Sequence, residues 1–312
     1  MSLSIRPLNA EDYPATTEIF NAQNEPDHRL SNDQLRASDE RLRQRGTHLL
    51  LSAVDDRDVI GRGQISEWPD DGEPGKFWTW FFVCEDRRGT GVDSAMFDAG
   101  LELLAGRDPT SLWTCVREDF LPTFGYLRER GYEEQFRSWG AHLVLNDLEL
   151  RALATYRDAV AERGVTLRTY QELASDPSRD AKLSALQDEL EEEAPHFEPI
   201  IPKRHPRPSD SGVLLGSYVV AVVEGEYVGI ASLNGEEGSA SMAGSGLVGV
   251  RREFRNRGIG TALLAHTSSW AKERGFSEVN AGGAGANAAM LNVVGRVGFD
   301  VEPAWVTLAK FL

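Results

Sequence analysis

One stretch of this chain is written twice. "VCEDRRGTGVDSAMF" runs from Val83 to Phe97, and "VRREFRNRGIGTALL" runs from Val250 to Leu264. Val83 and Val250 stand 167 positions apart (250 − 83), and so do Arg88 and Arg255, Gly91 and Gly258, Ala95 and Ala262, and Gly131 and Gly298. No gap is needed between the first of these pairs and the last. A period of that size is a whole domain rather than a solenoid unit, so the chain reads as a tandem duplication. Its 312 residues suit two domains.

Coarse secondary structure repeats with the turn. In the first half "LSIRPL", "HLLLSAVDD", "DVIGRGQISEW" and "KFWTWFFVCE" read as strands, and "SNDQLRASDERLRQR" as a helix capped by Ser31 or Asn32. A linking helix is expected over 148–163. The second half brings a helix in "RDAKLSALQDELEEEA", a hairpin turning at Glu224–Gly225, one continuous strand in "GSASMAGSGLVGV" and a helix after each glycine turn. Strands and helices mixed in this order imply an α+β layer fold, twice. The expected boundaries are 1–147 for the first domain and 164–312 for the second.

The net charge of −16 argues against general binding to nucleic acid, whose phosphates it would repel. Hydrophobic residues make up 41% and charged residues 26%, the balance of a folded globular chain. "MSLSIRPLNA" has no apolar signal segment, and the run "VLLGSYVVAVV" is far short of a membrane span. The cytoplasm is therefore expected, with no membrane partner. Cys84 and Cys115 lie in apolar strand-like runs and read as buried free thiols. No His, Cys or Asp cluster has metal-ligand spacing, so no metal is expected.

The second copy of the turn has the chemistry of an anion cradle. Gly258 and Gly260 permit a tight turn and let a phosphate approach the main chain. The helix that follows aims its free N–H groups and positive dipole end at the same spot. Arg251, Arg252, Arg255 and Arg257 add positive charge around it. The expected ligand is a diphosphate at the start of that helix. The pattern is neither G-x-x-x-x-G-K-[ST] nor G-x-G-x-x-G.

Arg-x-x-Gly-x-Gly after a strand ending in Val resembles motif A of the GCN5-related N-acetyltransferases (GNAT). "NAAMLNVVGRVGF" is similar to a second signature of that family, an Asn-x-x-Met helix closed by Gly-Phe. Two linked copies resemble its tandem members, of which mycothiol synthase is a familiar type. The resemblance implies two tandem domains, each a central mixed, mostly antiparallel sheet flanked by helices. It also implies acetyl-CoA as acyl donor and a small-molecule amine as acceptor. Coenzyme contacts would then fall on Val248, Gly249, Val250, Arg255, Asn256, Arg257, Gly258, Ile259, Gly260, Thr261 and Asn287. The strand N–H that stabilises the oxyanion would lie around Val248 to Val250. A homodimer is left open.

The first copy keeps Val83, Arg88 and Gly91 but has Asp93 where the second has Gly260. Asp93 adds a Cβ and a carboxylate at the helix N-terminus. It is expected to cap that helix itself and to repel a diphosphate. The first domain is accordingly expected to have lost its coenzyme site and kept a structural role.

Acyl transfer to an amine needs a base, an oxyanion partner and often an acid for the leaving thiolate. By the resemblance the acid position is Val294, with Leu127 its counterpart in the first half. Neither can give a proton. Asn292 is a substitute on a different helix face. Glu192, Glu193 and His196 are candidate bases, in a stretch where the resemblance puts the substrate lip; Glu236 and Glu237 lie in a hairpin turn. Residues 188–193 read either as an ordinary solvated helix face or as an acidic rim favouring a cationic amine, such as a polyamine or an aminoglycoside. Two functions fit: an acetyl-CoA-dependent N-acetyltransferase with its one site in the second domain, or a non-catalytic acyl-CoA-binding or scaffold protein.

Overall fold

The computed structural model describes residues 3–22, 29–67, 73–146, 148–194, 212–235 and 242–312. His196, Glu236 and Glu237 lie outside the described residues. The first half runs β1 (Leu3–Pro7), α1 (Tyr13–Asn21), α2 (Asn32–Arg45), β2 (Thr47–Asp55), β3 (Asp58–Glu67), β4 (Lys76–Val83), α3 (Val92–Leu104), β5 (Ser111–Arg117), α4 (Leu121–Glu129) and β6 (Glu133–Val144). The second half runs α5 (Leu150–Ala161), β7 (Val165–Thr169), α6 (Arg179–Glu192), β8 (Val219–Val223), β9 (Glu226–Ala231), β10 (Leu233–Asn234), β11 (Met242–Ser245), β12 (Gly249–Val250), α7 (Ile259–Glu273), β13 (Glu278–Ala284), α8 (Ala288–Val297), β14 (Asp300–Val301) and β15 (Trp305–Phe311).

The duplication is visible in the elements themselves. Adding the sequence offset to the first residue of α3, β5 and α4 lands on the first residue of α7, β13 and α8. The chain falls into two compact units that are not its contiguous halves. One unit holds Met1–Val116, Phe120–Gln135 and the last strand from Thr307; the other holds Arg117–Asp119 and Phe136–Val306. Each copy thus keeps its core strands and helices, while the strand that ends it belongs to the other unit. Only hydrogen bonding between strands distant in sequence decides this, so the contiguous expectation misses it.

In the first unit the strand order is β1-β2-β3-β4-β5-β15. β1 to β4 are joined antiparallel, and β4 runs parallel to β5. That parallel pairing holds only from Lys76–Ser111 to Trp78–Trp113, after which the two strands part. α2 begins where the sequence says. Ser31 Oγ accepts from Gln34 N at 3.2 Å, and Gln34 Oε1 accepts from Ser31 N at 2.8 Å, a reciprocal capping box. Ser31→Ala should cost about 1 kcal/mol in denaturant titration, since it leaves a helix N–H uncapped.

In the second unit β6-β13-β11-β10 form one sheet and β7-β8-β9-β12 another. The β8–β9 hairpin turns through Glu224 (φ 50°) and Gly225 (φ 84°), both left-handed as a type I′ turn requires. This hairpin is buried on both faces. Leu183, Leu186 and Leu190 of α6, at helical spacing, pack with Val220, Tyr227 and Ile230. Ile259, Ala262 and Leu263 of α7 pack with Val219, Ala221 and Val228. Each fully buried leucine stabilises the unit by roughly 1.5–3 kcal/mol.

The continuous strand expected over "GSASMAGSGLVGV" is broken. β11 pairs with β10 and β13, β12 pairs with β9, and Gly246 to Val248 belong to neither sheet. The registers give the reason. Met242 stands opposite Glu278 as Lys76 stands opposite Ser111, yet the second copy has one residue more between that pair and its closing valine, Val250 against Val83. One extra residue on one strand is a bulge, which bends the strand away from its neighbour. Gly249 allows the result, because a Cβ there would stand 2.8 Å from Cδ1 of Leu190.

Cys84 and Cys115 are free, as expected, but half-buried rather than buried. Desolvation first, then the hydrogen bond with Asp86, pushes the Cys84 thiol up to about 11. Burial also raises Cys115. Both are poor nucleophiles at neutral pH.

Candidate functional site

The turn of the second copy is built from four backbone conformations in a row. After a 3-10 turn at Arg252–Phe254, Arg255 is extended (φ −66°, ψ 165°). Asn256 (φ 62°) and Gly258 (φ 83°) are left-handed, and α7 starts at Ile259. Gly258 is the N-cap and offers no side chain to the first turn of the helix. The leading N–H groups of α7, on Ile259, Gly260 and Thr261, therefore face an opening where a helix has no internal partners for them. A Cβ on Gly260 would meet only Val293 at 3.6 Å and Val250 at 3.8 Å. The cradle is open, and a diphosphate fits its donors and its dipole. The break at Gly246 to Val248 lies at the head of the same strand, beside the point where β11 and β13 part.

The arginines are not free charges. Arg255 donates from Nε to Val250 O at 2.9 Å, and its Nη2 binds Oε2 of Glu193. Arg252 Nε donates to the other oxygen of Glu193 at 3.1 Å. Arg251 is held by Glu189 at 3.0 Å and by Glu226. Arg257 Nη2 donates to Glu253 O at 2.9 Å. The positive charge expected from the sequence is thus largely neutralised: Arg251, Arg252 and Arg255 meet the carboxylates of Glu189, Glu193 and Glu226, while Arg257 donates to a backbone carbonyl. Acidic residues that read as a solvated face or an acceptor rim instead include two, Glu189 and Glu193, that face this turn.

The first copy repeats the backbone and changes what fills it. Arg88 (φ −65°, ψ 138°), Gly89 (φ 69°) and Gly91 (φ 96°) match Arg255, Asn256 and Gly258. Arg88 Nε donates to Val83 O at 3.3 Å, the same bond that Arg255 makes to Val250. This bond pins the turn to the strand end, which accounts for Arg88 without any ligand. Asp93 does not cap α3. Gly91 is the cap position, Asp93 is the second helical residue, and its buried Oδ1 has no hydrogen-bond partner among the described residues. A carboxylate inside the first turn points past the N–H groups that a residue at the cap position would reach. Its charge still stands at the positive end of the helix.

Other side chains also lie over this turn. Arg130 Nη2 donates to Ser94 Oγ at 2.7 Å, and its guanidinium lies 3.6 Å from the centre of the Tyr126 ring. These side chains reach from the end of α4 over the first turn of α3. The corresponding residues of the second copy are Thr261, Val293 and Val297, which make no such cover.

The remaining candidates divide. Asn287 is the N-cap of α8, its Oδ1 accepting from Met290 N at 3.1 Å. Phe120 takes that place in the first copy with nearly the same backbone angles. Val294 is fully buried in the apolar core and Leu127 is buried too. Asn292 is exposed. Glu193 is a weak base: desolvation opposes its charge, but Arg252 and Arg255 outweigh it and hold the carboxyl below its usual range. Glu192, the last residue of α6, is exposed. Among the described residues no group of three or more His, Cys, Asp or Glu could hold a metal ion. No helix among them is long and apolar enough to cross a membrane.

Comparison with known proteins bears on this arrangement. Residues 183–299, from α6 to the residue after Gly298, match the acetyltransferase (GNAT) family. No curated protein sequence matches the chain. Among solved structures, the chain is similar to a GCN5-related N-acetyltransferase from Sphaerobacter thermophilus, with 19% identity, a TM-score of 0.70, and coverage of 99% of this chain and 95% of that one. It is similar to a tandem GNAT protein from the clavulanic acid biosynthesis pathway, with 17% identity, a TM-score of 0.62, and coverage of 99% and 98%. It also matches the glucosamine N-acetyltransferase region of a fungal multi-domain GH3 beta-N-acetylglucosaminidase, at 16% identity and a TM-score of 0.67, over 99% of this chain and 38% of that longer one. These likenesses are of fold. Residues 183–299 thus match the GNAT family, and the chain as a whole has the fold of tandem GNAT proteins.

Proposed function

We propose that the chain is an acetyl-CoA-dependent N-acetyltransferase with one working site, in the second copy, acting on a primary amine of a small molecule. The observation that carries this reading is the open cradle at Gly258–Thr261 set against the strand broken at Gly246 to Val248. Acetyl-CoA, when bound, supplies the activated acyl group. Backbone N–H groups of α7 hold its diphosphate, and Gly258 and Gly260 let it come close. The bend between β11 and β12 frees backbone groups near Val248 from sheet pairing, where an N–H can stabilise charge developing on the acyl oxygen. With Val294 apolar, much of the acceleration rests on positioning, and water carries the proton to the thiolate.

The first copy, by this reading, is a retired coenzyme site with Asp93, Tyr126 and Arg130 where a diphosphate would lie. A calorimetric titration with acetyl-CoA should count one site per chain. Two sites would refute the retirement of the first copy, and none would favour a scaffold. Release of free CoA thiol from acetyl-CoA mixed with a panel of amines then tests turnover.

A further inference from the structure

The cradle and the end of α6 are tied by a single side chain. Glu193 is the C-cap of α6, and its two oxygens take separate arginines, Arg252 and Arg255, from the turn that leads into α7. Its side chain is 22% exposed, while Arg252 is 75% and Arg255 41% exposed. A carboxylate that bridges two guanidiniums of the turn leading into α7 takes up positive charge that an anionic ligand at that turn would otherwise use. Arg255 is held beside the turn by its bond to Val250 O. A diphosphate that takes up that guanidinium must share it with Glu193 or replace Glu193.

The first copy supplies the contrast. Arg88 keeps the bond to its strand carbonyl, and its neighbour Arg87 is held by Asp55 of β2 at 3.0 Å. Arg87 corresponds to Phe254, so its strand partner Asp55 stands in a different place from Glu193. Glu193 closes a helix, whose last turn can be released without breaking a sheet.

We infer that Glu193 is a built-in competitor for the diphosphate: binding of the coenzyme displaces its carboxylate from Arg252 and Arg255 and unpins the last turn of α6. The inference rests on the coenzyme reading given above. A first consequence is that coenzyme affinity is set below what the cradle could reach. A second is that donor binding is felt at α6, the helix whose leucines pack on the β8–β9 hairpin.

The test is Glu193→Gln in the full chain, titrated calorimetrically with CoA and separately with inorganic diphosphate. Removing the competing charge should tighten both ligands about three- to tenfold, the size expected for one or two partly exposed ion pairs. Amide hydrogen exchange should also quicken in the last turn of α6 when CoA binds the unaltered protein. Equal or weaker binding of both probes by the variant would overturn the inference and leave the coenzyme reading standing, because Glu193 would then organise the arginines rather than compete for them. If neither protein binds CoA, the coenzyme reading falls and this inference falls with it. Circular dichroism of the variant shows that the fold is kept.

Discussion

Gly260→Asp should leave the protein folded and weaken its binding of acetyl-CoA about a hundredfold. The position tolerates the change as a fold: the new Cβ meets Val293 and Val250 only at ordinary contact distances. A carboxylate in the first turn of a helix is favoured by the dipole. What it opposes is the ligand. A carboxylate about 5 Å from one phosphate charge costs about 3 kcal/mol at an effective dielectric near 20. That is a loss on the order of a hundredfold in affinity. Calorimetry measures it, and a variant that still binds within a fewfold of the original would place the coenzyme elsewhere. The reverse change, Asp93→Gly, should not create a second site, since Arg130 and Tyr126 still reach over the start of α3. A second equivalent of acetyl-CoA bound by Asp93→Gly would mean that one carboxylate alone retired the first copy.

The second large effect concerns stability of the first unit. Arg62 of β3 is fully buried, and its Nη2 donates to Asp39 Oδ1 of α2 at 2.7 Å. Asp39 also accepts from Tyr13 of α1 at 2.9 Å and meets His48 Nε2 at 3.3 Å. Arg62 Nε and Nη1 have no hydrogen-bond partner among the described residues. Asp39→Ala would strand this guanidinium without a counter-charge, at a cost of about 3–5 kcal/mol. Replacing both partners, Asp39→Leu with Arg62→Met, should cost much less, because no charge is left buried. Urea titration of the three proteins decides it, and additive losses would show that the two side chains are not coupled.

The same unit sets a direction with pH. Burial would raise the Asp39 carboxyl, but the His48 hydrogen bond and the Arg62 charge hold it below its usual range. Asp12 is held down to about 2, chiefly by its hydrogen bond with Arg6 and against desolvation. Folded-state values below the unfolded ones mean that this stability is complete above a pH of about 4 and is lost as the pH falls toward 2. The unfolding midpoint should therefore drop through that window. A midpoint flat from pH 5 to 2 would remove both carboxylates from the account.

Much of the site could be read from the letters. Spacing alone located the duplication, since a gapless offset of conserved type can be counted without a structure. Glycines located both turns, because Gly91 and Gly258 hold left-handed backbone that few residue types accept, and the helix starts followed from them. Ser31 as a cap was legible for the same local reason. Asp93 as a self-cap was not, because one position along a helix start changes which N–H groups a side chain can reach.

Pairing between distant parts of the chain was hidden. Nothing in "DELEEE" says that Glu189 and Glu193 face arginines some sixty residues on. A charge reads alike whether its partner is water or a guanidinium, and only the packing of α6 on β8–β9 brings them together. The broken strand at Gly246 to Val248 was hidden too, because a bulge is a mismatch between two strands and one strand cannot show it. The reassignment of the last strand to the first unit is of the same kind. Local sequence determined most elements, the repeat and the glycine turn before each helix, through backbone preference and helix electrostatics. Tertiary structure decided which copy stayed open, which charges cancel and which strands share a sheet, since each depends on contacts between residues far apart in the chain.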